Sequence, residues 1–368
     1  MAPGVTWTRI VRDGGPWRVN VLTVDRRALA GRLGGVLSNR RIAGRERASA
    51  MARRARAVAG VNGGFFAEDG DPVGALAIRS RLLSEPVDGR SALLVPTDPV
   101  LPARVASLSF AGAVVSGGQE RIVDGVERLR GEVPACGGRG GDVPTERPNS
   151  ALVCTDSSEL VVLSSRYGPY TRTRGGVEAV IRAGAVTAVE IGGDAAIPSG
   201  GLVLSGSGDA ARFLSAAAPP GSRPELRLAL SAGGRDVGLD QHELILGGGP
   251  RLLKRRRATV AFRAEGFAPL EAPGFFGSFV ASRNPRTLAG VRRDGRILLV
   301  TIDGRRPGWS AGVTLPEAAR VMRALGARDA LNLDGGGSTT MTVRGEVVNL
   351  PSDPAGERPV SDGVFVLP

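Results

Sequence analysis

The chain has 368 residues, 42% of them hydrophobic and 4% aromatic, and a formal charge of +12. That size and apolar content allow a sizeable buried core in one large domain or two modest ones. No run approaches the ~20 apolar residues needed to span a bilayer, and the single histidine, His242, excludes a multi-histidine zinc site.

The 54 Gly and 25 Pro predict many turns, and more strand and loop than helix. The positive charge is almost wholly arginine, Lys254 being the only lysine. The basic residues are scattered, and the denser groups (Arg53, Arg54, Arg56; Arg251 to Arg257) are short and lack interleaved aromatics. No zinc-finger spacing or RNP-type motif accompanies them, which argues against a nucleic-acid partner. A GC-rich coding sequence accounts for arginine in place of lysine, with an anionic substrate or envelope surface as a second consequence of the charge. Cys136 and Cys154 fit equally one disulfide or two free thiols. Met1-Ala2-Pro3-Gly4 lacks a basic region followed by an apolar one, so no secretory signal is visible.

In chain order, residues 17–25 alternate apolar and polar and predict a strand. Ala48, Met51, Ala52 and Ala55 recur at helical spacing within residues 46–56. The short apolar run 57–61 then breaks at Asn62-Gly63-Gly64-Phe65-Phe66. This strand-helix-strand order predicts a parallel crossover. Hairpin-like strands follow over residues 74–94, with Asp88-Gly89 as a turn signal. Residues 103–245 are loosely patterned, with strands expected at 151–153, 160–164, 179–181 and 186–191 and a loop over 131–148. Ser205 to Asp209 reads as a turn into a helix at 210–216. His242 reads as an ordinary polar residue before the apolar run 244–246.

Residues 247–368 are the most legible. Residues 287–291 and 297–302 flank Arg293-Asp294-Gly295-Arg296, a predicted hairpin, and the second strand ends in Asp303-Gly304. Thr314-Leu315-Pro316-Glu317 has capping-box spacing, which accounts for Glu317. The helix it opens presents Leu315, Ala318, Ala319, Met322 and Leu325 on one face and stops at Gly326. Residues 330–333 form the next strand. If that order is one crossover, its two strands run parallel, and Asp303 and Asp334 reach a common rim. The expected fold class is therefore α+β: a mixed sheet core with strand-helix-strand crossovers, flanking helices and Gly/Pro-rich loops, read as a single domain over residues 1–368.

After Asp334 come Gly335-Gly336-Gly337-Ser338-Thr339-Thr340. Glycine reaches positive φ at little steric cost, and successive N–H groups in such a turn can cradle an anion, with the Ser338 hydroxyl as a further donor. Two carboxylates on one rim suit acid/base or glycosyl chemistry, and would equally suit oxygen ligation of Ca²⁺ or Mg²⁺. Arg286, beside Pro285 and Thr287, offers a bidentate fork to a phosphate or carboxylate.

Val61-Asn62-Gly63-Gly64-Phe65-Phe66, Pro285-Arg286-Thr287, Asp303-Gly304, Asn332-Leu333-Asp334-Gly335-Gly336-Gly337-Ser338, Pro351-Ser352-Asp353 and Glu357-Arg358-Pro359-Val360-Ser361 stand in an order that resembles the phosphodiester glycosidase family. The resemblance implies hydrolysis between a sugar's anomeric carbon and a phosphodiester, with bacterial members tied to exopolysaccharide or the cell envelope. It implies that Arg286, Arg358 and the amides of Gly335, Gly336, Gly337 and Ser338 hold phosphate. It also implies that Asp334 and Asp303 act on the sugar, with Asn62, Gly63 and Thr287 at the substrate and Asn62 orienting a hydroxyl. Competing expectations are a polysaccharide glycosidase with no phosphate requirement and a non-catalytic glycan-binding module.

Overall fold

The computed structural model describes every residue except 1, 14–15, 88, 132, 135–142, 145–152, 268–273 and 275–276. Asp88 of the expected turn, Cys136 with its pairing to Cys154, and most of the expected loop over 131–148 lie outside the described residues.

The Gly-rich, β-branched sequence folds mainly as antiparallel sheet, about 45% strand against 13% helix. This overturns the expected α+β class. In the central seven-stranded sheet, Val5–Arg12, Trp17–Val24, Ile297–Ile302, Arg286–Arg292, Ala327–Asn332, Arg251–Lys254 and Arg257–Ala258 lie side by side. Every neighbouring pair in it is antiparallel. The helix Leu315–Ala324 does join two strands of like direction, Ile297–Ile302 and Ala327–Asn332. They are not neighbours, because the returning hairpin strand Arg286–Arg292 pairs with both. The earlier helix, Ala48–Arg54, likewise joins two strands of one sheet with like direction, Arg32–Leu37 and Ala59–Asn62, which Asp362–Leu367 separates; the expected strand over 17–25 lies in the central sheet. Both helical periodicities are real; the parallel pairing inferred from them is what fails, since strand adjacency is not written in the spacing of one segment.

A five-stranded antiparallel sheet, ordered Arg32–Leu37, Asp362–Leu367, Ala59–Asn62, Met341–Val343 and Glu346–Val347, packs against the central one. The uninterrupted apolar run of Ile297–Ile302 follows from burial on both faces. Leu298, Val300 and Ile302 meet Leu315, Ala318, Ala319 and Met322 of the helix. Ile297 and Leu299 share a core with Val61, Leu331, Leu333, Met341 and Val364. The helix opens with the expected capping box: the Glu317 N–H donates to Thr314 Oγ1 at 3.2 Å, and the Thr314 N–H to Glu317 Oε2 at 2.9 Å.

A further five-stranded sheet holds Ser91–Pro96 between Arg104–Ser107 and His242–Gly247. The intervening chain forms a four-stranded and another five-stranded sheet with the helix Gly208–Ala217. His242 is buried, with Nδ1 2.8 Å from the Gly238 carbonyl, an ordinary satisfied histidine. No helix among the described residues is long and apolar enough to cross a membrane.

Candidate active site

Asn62, the last residue of Ala59–Asn62, is fully buried where the two packed sheets meet. Its Oδ1 accepts from Thr287 Oγ1 at 2.7 Å and from the Thr340 N–H at 3.1 Å, and its Nδ2 donates to the Asp334 carbonyl at 2.8 Å. One side chain thus ties residues of both sheets to the backbone of Asp334. Asn62 and Thr287 are both fully buried, and the contacts they make are within the fold.

Gly63 continues the junction. Its carbonyl accepts from the Asp334 N–H at 3.2 Å, and its N–H donates to the Asp362 carbonyl at 2.9 Å. A Cβ here would lie 1.7 Å from Asp362 Oδ1, which explains the glycine by close approach. Gly63→Ala is expected to displace that carboxylate, costing about 1–3 kcal/mol of stability together with most activity. A urea melt beside a turnover assay checks both.

Asp334 is only partly buried. Its carboxyl is pushed up to about 6, chiefly by desolvation; the Ser338 hydroxyl, the Arg358 charge and the Gly335 N–H pull it down, while Asp362 adds to the rise. Asp362 itself is buried, accepting from Ser361 Oγ at 2.5 Å and from the Gly64 N–H at 3.2 Å. Burial raises its pKa too. The acid that Asp334 feels is therefore Asp362.

Asp303 stands apart from that pair. Its strand ends on the same edge as that of Asp334, as expected, yet its carboxylate is buried. It accepts from Trp309 Nε1 at 2.8 Å and from the Leu350 N–H at 3.2 Å. The implied sugar-side role does not fit a carboxylate so enclosed. The alternative of cation ligation by Asp303 with Asp334 meets the same obstacle. No cluster of three or more His, Cys, Asp or Glu suited to a metal occurs among the described residues.

The turn Gly335–Ser338 is ringed by arginines. Arg286 is 1% exposed and donates through Nε to the Val313 carbonyl at 3.1 Å, and through Nη2 to the carbonyls of Phe279 at 2.5 Å and Ser282 at 3.2 Å. It has no carboxylate partner among the described residues. Desolvation, and then the positive charge of Arg305, lower its pKa to about 9. Arg305 is exposed, at positive φ, and its Nε and Nη2 donate to Asn284 Oδ1 at 3.0 and 2.7 Å. A Cβ at Gly336 would sit 3.4 Å from Arg305 Nη2. Arg358 lies against Gly337, paired with Asp353 through contacts of 2.7 and 3.0 Å.

The amides divide differently from the expected cradle. The Gly336 and Ser338 N–H groups are used within the fold, on the carbonyls of Pro285 and Gly335. The Gly335 N–H acts on Asp334 by lowering its pKa, and no acceptor for the Gly337 N–H is seen among the described residues. The fixed positive groups are thus mainly guanidinium. Sequence reasoning missed Arg305 and Asp362, although each adjoins a quoted motif: Arg305 follows Asp303-Gly304, and Asp362 follows Ser361.

The family description "Phosphodiester glycosidase" matches residues 175–367. A mouse N-acetylglucosamine-1-phosphodiester alpha-N-acetylglucosaminidase is 38% identical over 80 residues, which are 22% of this chain and 15% of the mouse protein. A Burkholderia pseudomallei K96243 protein described as exported has a crystal structure similar over 96% of this chain and 74% of its own, at TM-score 0.86 and 37% identity. A hypothetical protein from Synechocystis shares the fold over 98% of this chain and 62% of its own, at TM-score 0.75 and 22% identity.

Proposed function

The chain belongs to the phosphodiester glycosidase family, and we propose that it hydrolyses the bond between a sugar's anomeric carbon and a phosphodiester. The observation that carries this reading is the pairing of Arg286 with Arg305. Arg286 lies against Gly335 and Arg305 against Gly336, so two guanidinium-bearing residues flank one turn, and such a placement suits an anion with oxygens to share. Asp334 stands at the same turn, with a pKa near that of an effective general base.

In the proposed reaction ionised Asp334 takes a proton from water as the water oxygen bonds to the anomeric carbon. The anomeric carbon–oxygen bond breaks, and its electron pair leaves with the phosphate monoester. The exposed Arg305 and Arg358 meet the charge on that leaving group, with the buried Arg286 charge behind them, so it departs unprotonated. Asp334 then returns its proton to solvent. Asp362 acts through Asp334, as a neighbouring negative charge that keeps it basic. No step requires a cofactor.

We read the substrate as a phosphate-linked glycan of the cell envelope or of a secreted polysaccharide. The exported description of the Burkholderia relative and the net charge of +12 support that context. The test compares N-acetylglucosamine 1-phosphate methyl ester with methyl N-acetylglucosaminide, which lacks phosphate. The expected kcat/KM favours the phosphodiester by about 100-fold or more, the scale of one lost transition-state charge contact. Equal turnover of the two would point instead to a polysaccharide glycosidase, and absence of turnover on any substrate to a binding module.

A further inference from the structure

Two loops flank the site turn and meet beyond its arginines. The first leaves Asp303, passes Arg305 against Gly336, and reaches Trp309. The second runs from Asn349, whose side chain accepts from the Met341 N–H at 2.7 Å and donates to the Thr339 carbonyl at 3.0 Å, to Arg358 against Gly337. Arg306 Nη2 joins the loops, donating to the carbonyls of Pro351 at 2.9 Å and Asp353 at 3.3 Å. At their junction stand two apolar side chains left in solvent, Trp309 at 39% and Leu350 at 40% exposure.

The indole is held rigidly in that exposed position. Its Nε1–H donates to Asp303, whose backbone carbonyl is fixed by Ser310 Oγ at 2.6 Å, and the Arg18 guanidinium lies 5.1 Å from the ring centroid. The other two tryptophans make the contrast. Nε1 of Trp7 and of Trp17 is buried with no partner, whereas the exposed ring has a buried carboxylate committed to it. Burying a carboxylate is costly unless its oxygens are satisfied, and here Trp309 and the Leu350 N–H supply the donors. A fixed aromatic surface beside fixed polar groups binds with little ordering cost.

We propose that Trp309 and Leu350 form an accessory carbohydrate subsite, taking the glycan esterified on the far side of the phosphate, and that Asp303 is its positioning residue. The inference rests on the phosphodiester reading for its direction. Arg305 and Arg358, against the turn that follows Asp334, share their loops with Trp309 and Leu350; with the sugar to be released at Asp334, the leaving alcohol extends over Trp309. It also gives the Asp303 carboxylate a purpose that a catalytic role does not.

The test uses two esters of N-acetylglucosamine 1-phosphate, one with methanol and one with maltotetraose. For Trp309→Ala the KM of the maltotetraose ester is expected to rise about tenfold or more, the scale of one lost aromatic contact. The kcat of that ester and the kcat/KM of the methyl ester should stay within about twofold. Trp309→Phe should fall between the two proteins. Asp303→Ala should copy the KM rise of Trp309→Ala, whereas Asp303→Asn, whose amide oxygen still accepts from the indole, should restore the wild-type KM. An equal change on both esters, or no change on either, overturns the subsite. If the unmodified protein turns over neither ester, the phosphodiester reading fails separately, and calorimetry with free maltotetraose decides the subsite. Affinity about tenfold weaker in Trp309→Ala sustains it; equal affinity, or no binding by the unmodified protein, overturns it.

Discussion

Asp334→Asn is expected to reduce turnover of a sugar-1-phosphodiester by about 10²- to 10⁴-fold, the usual contribution of a positioned base, while leaving the fold intact. The amide keeps the shape beside Ser338 and Gly335 but cannot accept a proton from water. Unmodified protein should show kcat/KM rising with pH through an inflection near 6, because the proposed mechanism uses the ionised form of a carboxyl whose pKa is raised to about 6. Asp362→Asn removes a like charge from beside Asp334 and should move that inflection to lower pH.

Stability runs the other way. The folded Asp334 carboxyl holds its proton up to about pH 6, whereas the unfolded one releases it near 3.8. Between those values the folded state binds more protons, so stability falls as pH rises across the window and stays lower above it. Asp334→Asn should therefore melt higher than the unmodified protein at pH 7, by on the order of 1 kcal/mol once partial exposure is allowed for, and equally at pH 3. A pH series of thermal melts checks this. An inactive variant that is also more stable identifies the acid as held at a cost to the fold.

Arg286→Ala is the second large effect, and it falls on activity and stability together. Loss of one preorganised positive group beside a developing negative charge typically costs about 10²- to 10³-fold. The carbonyls of Val313, Phe279 and Ser282 would each lose one donor, those of Val313 and Ser282 keeping another from Asn284, so the cost is at most about 1–3 kcal/mol, the scale of one buried group left unmade. Arg305→Ala separates the two, since that side chain is exposed and, among the described residues, its hydrogen bonds go to Asn284. It should weaken inhibition by N-acetylglucosamine 1-phosphate with little change in the urea midpoint. It should also return the Arg286 guanidinium toward its ordinary pKa, because a repelling neighbour is gone.

Much of the local structure is legible in the sequence. The capping box at Thr314 and Glu317, the hairpin turn at 293–296 and the apolar run 297–302 announce their elements through side-chain chemistry that acts within a few residues. The direction of the strands ending at Asp303 and Asp334 follows from the helix between them. What the chain does not announce is which strand lies between two others. Arg286–Arg292 separates the expected parallel pair, and its placement depends on burial of both sheet faces, a property of the whole fold. The same limit governs the site. Asp303 has the sequence setting of a rim acid, and only the Trp309 and Leu350 donors show that its oxygens are occupied. Asp362 and Arg305 each adjoin a motif, but only the fold brings Asp362 beside Asp334 and Arg305 against Gly336.

The bridge made by Asn62 has a practical consequence. Because one buried amide couples two sheets to the backbone of the reactive acid, a ligand that clamps the 335–338 turn also clamps the seam between the sheets. Occupancy should then register as resistance to melting: a ligand at 100 times its Kd, absent from the unfolded chain, adds about 2.7 kcal/mol. Asp334→Asn protein, able to hold a sugar phosphodiester without consuming it, becomes a thermometer for the cognate sugar. A panel of sugar 1-phosphodiesters ranked by the rise in Tm would identify the glycan before any product is assayed.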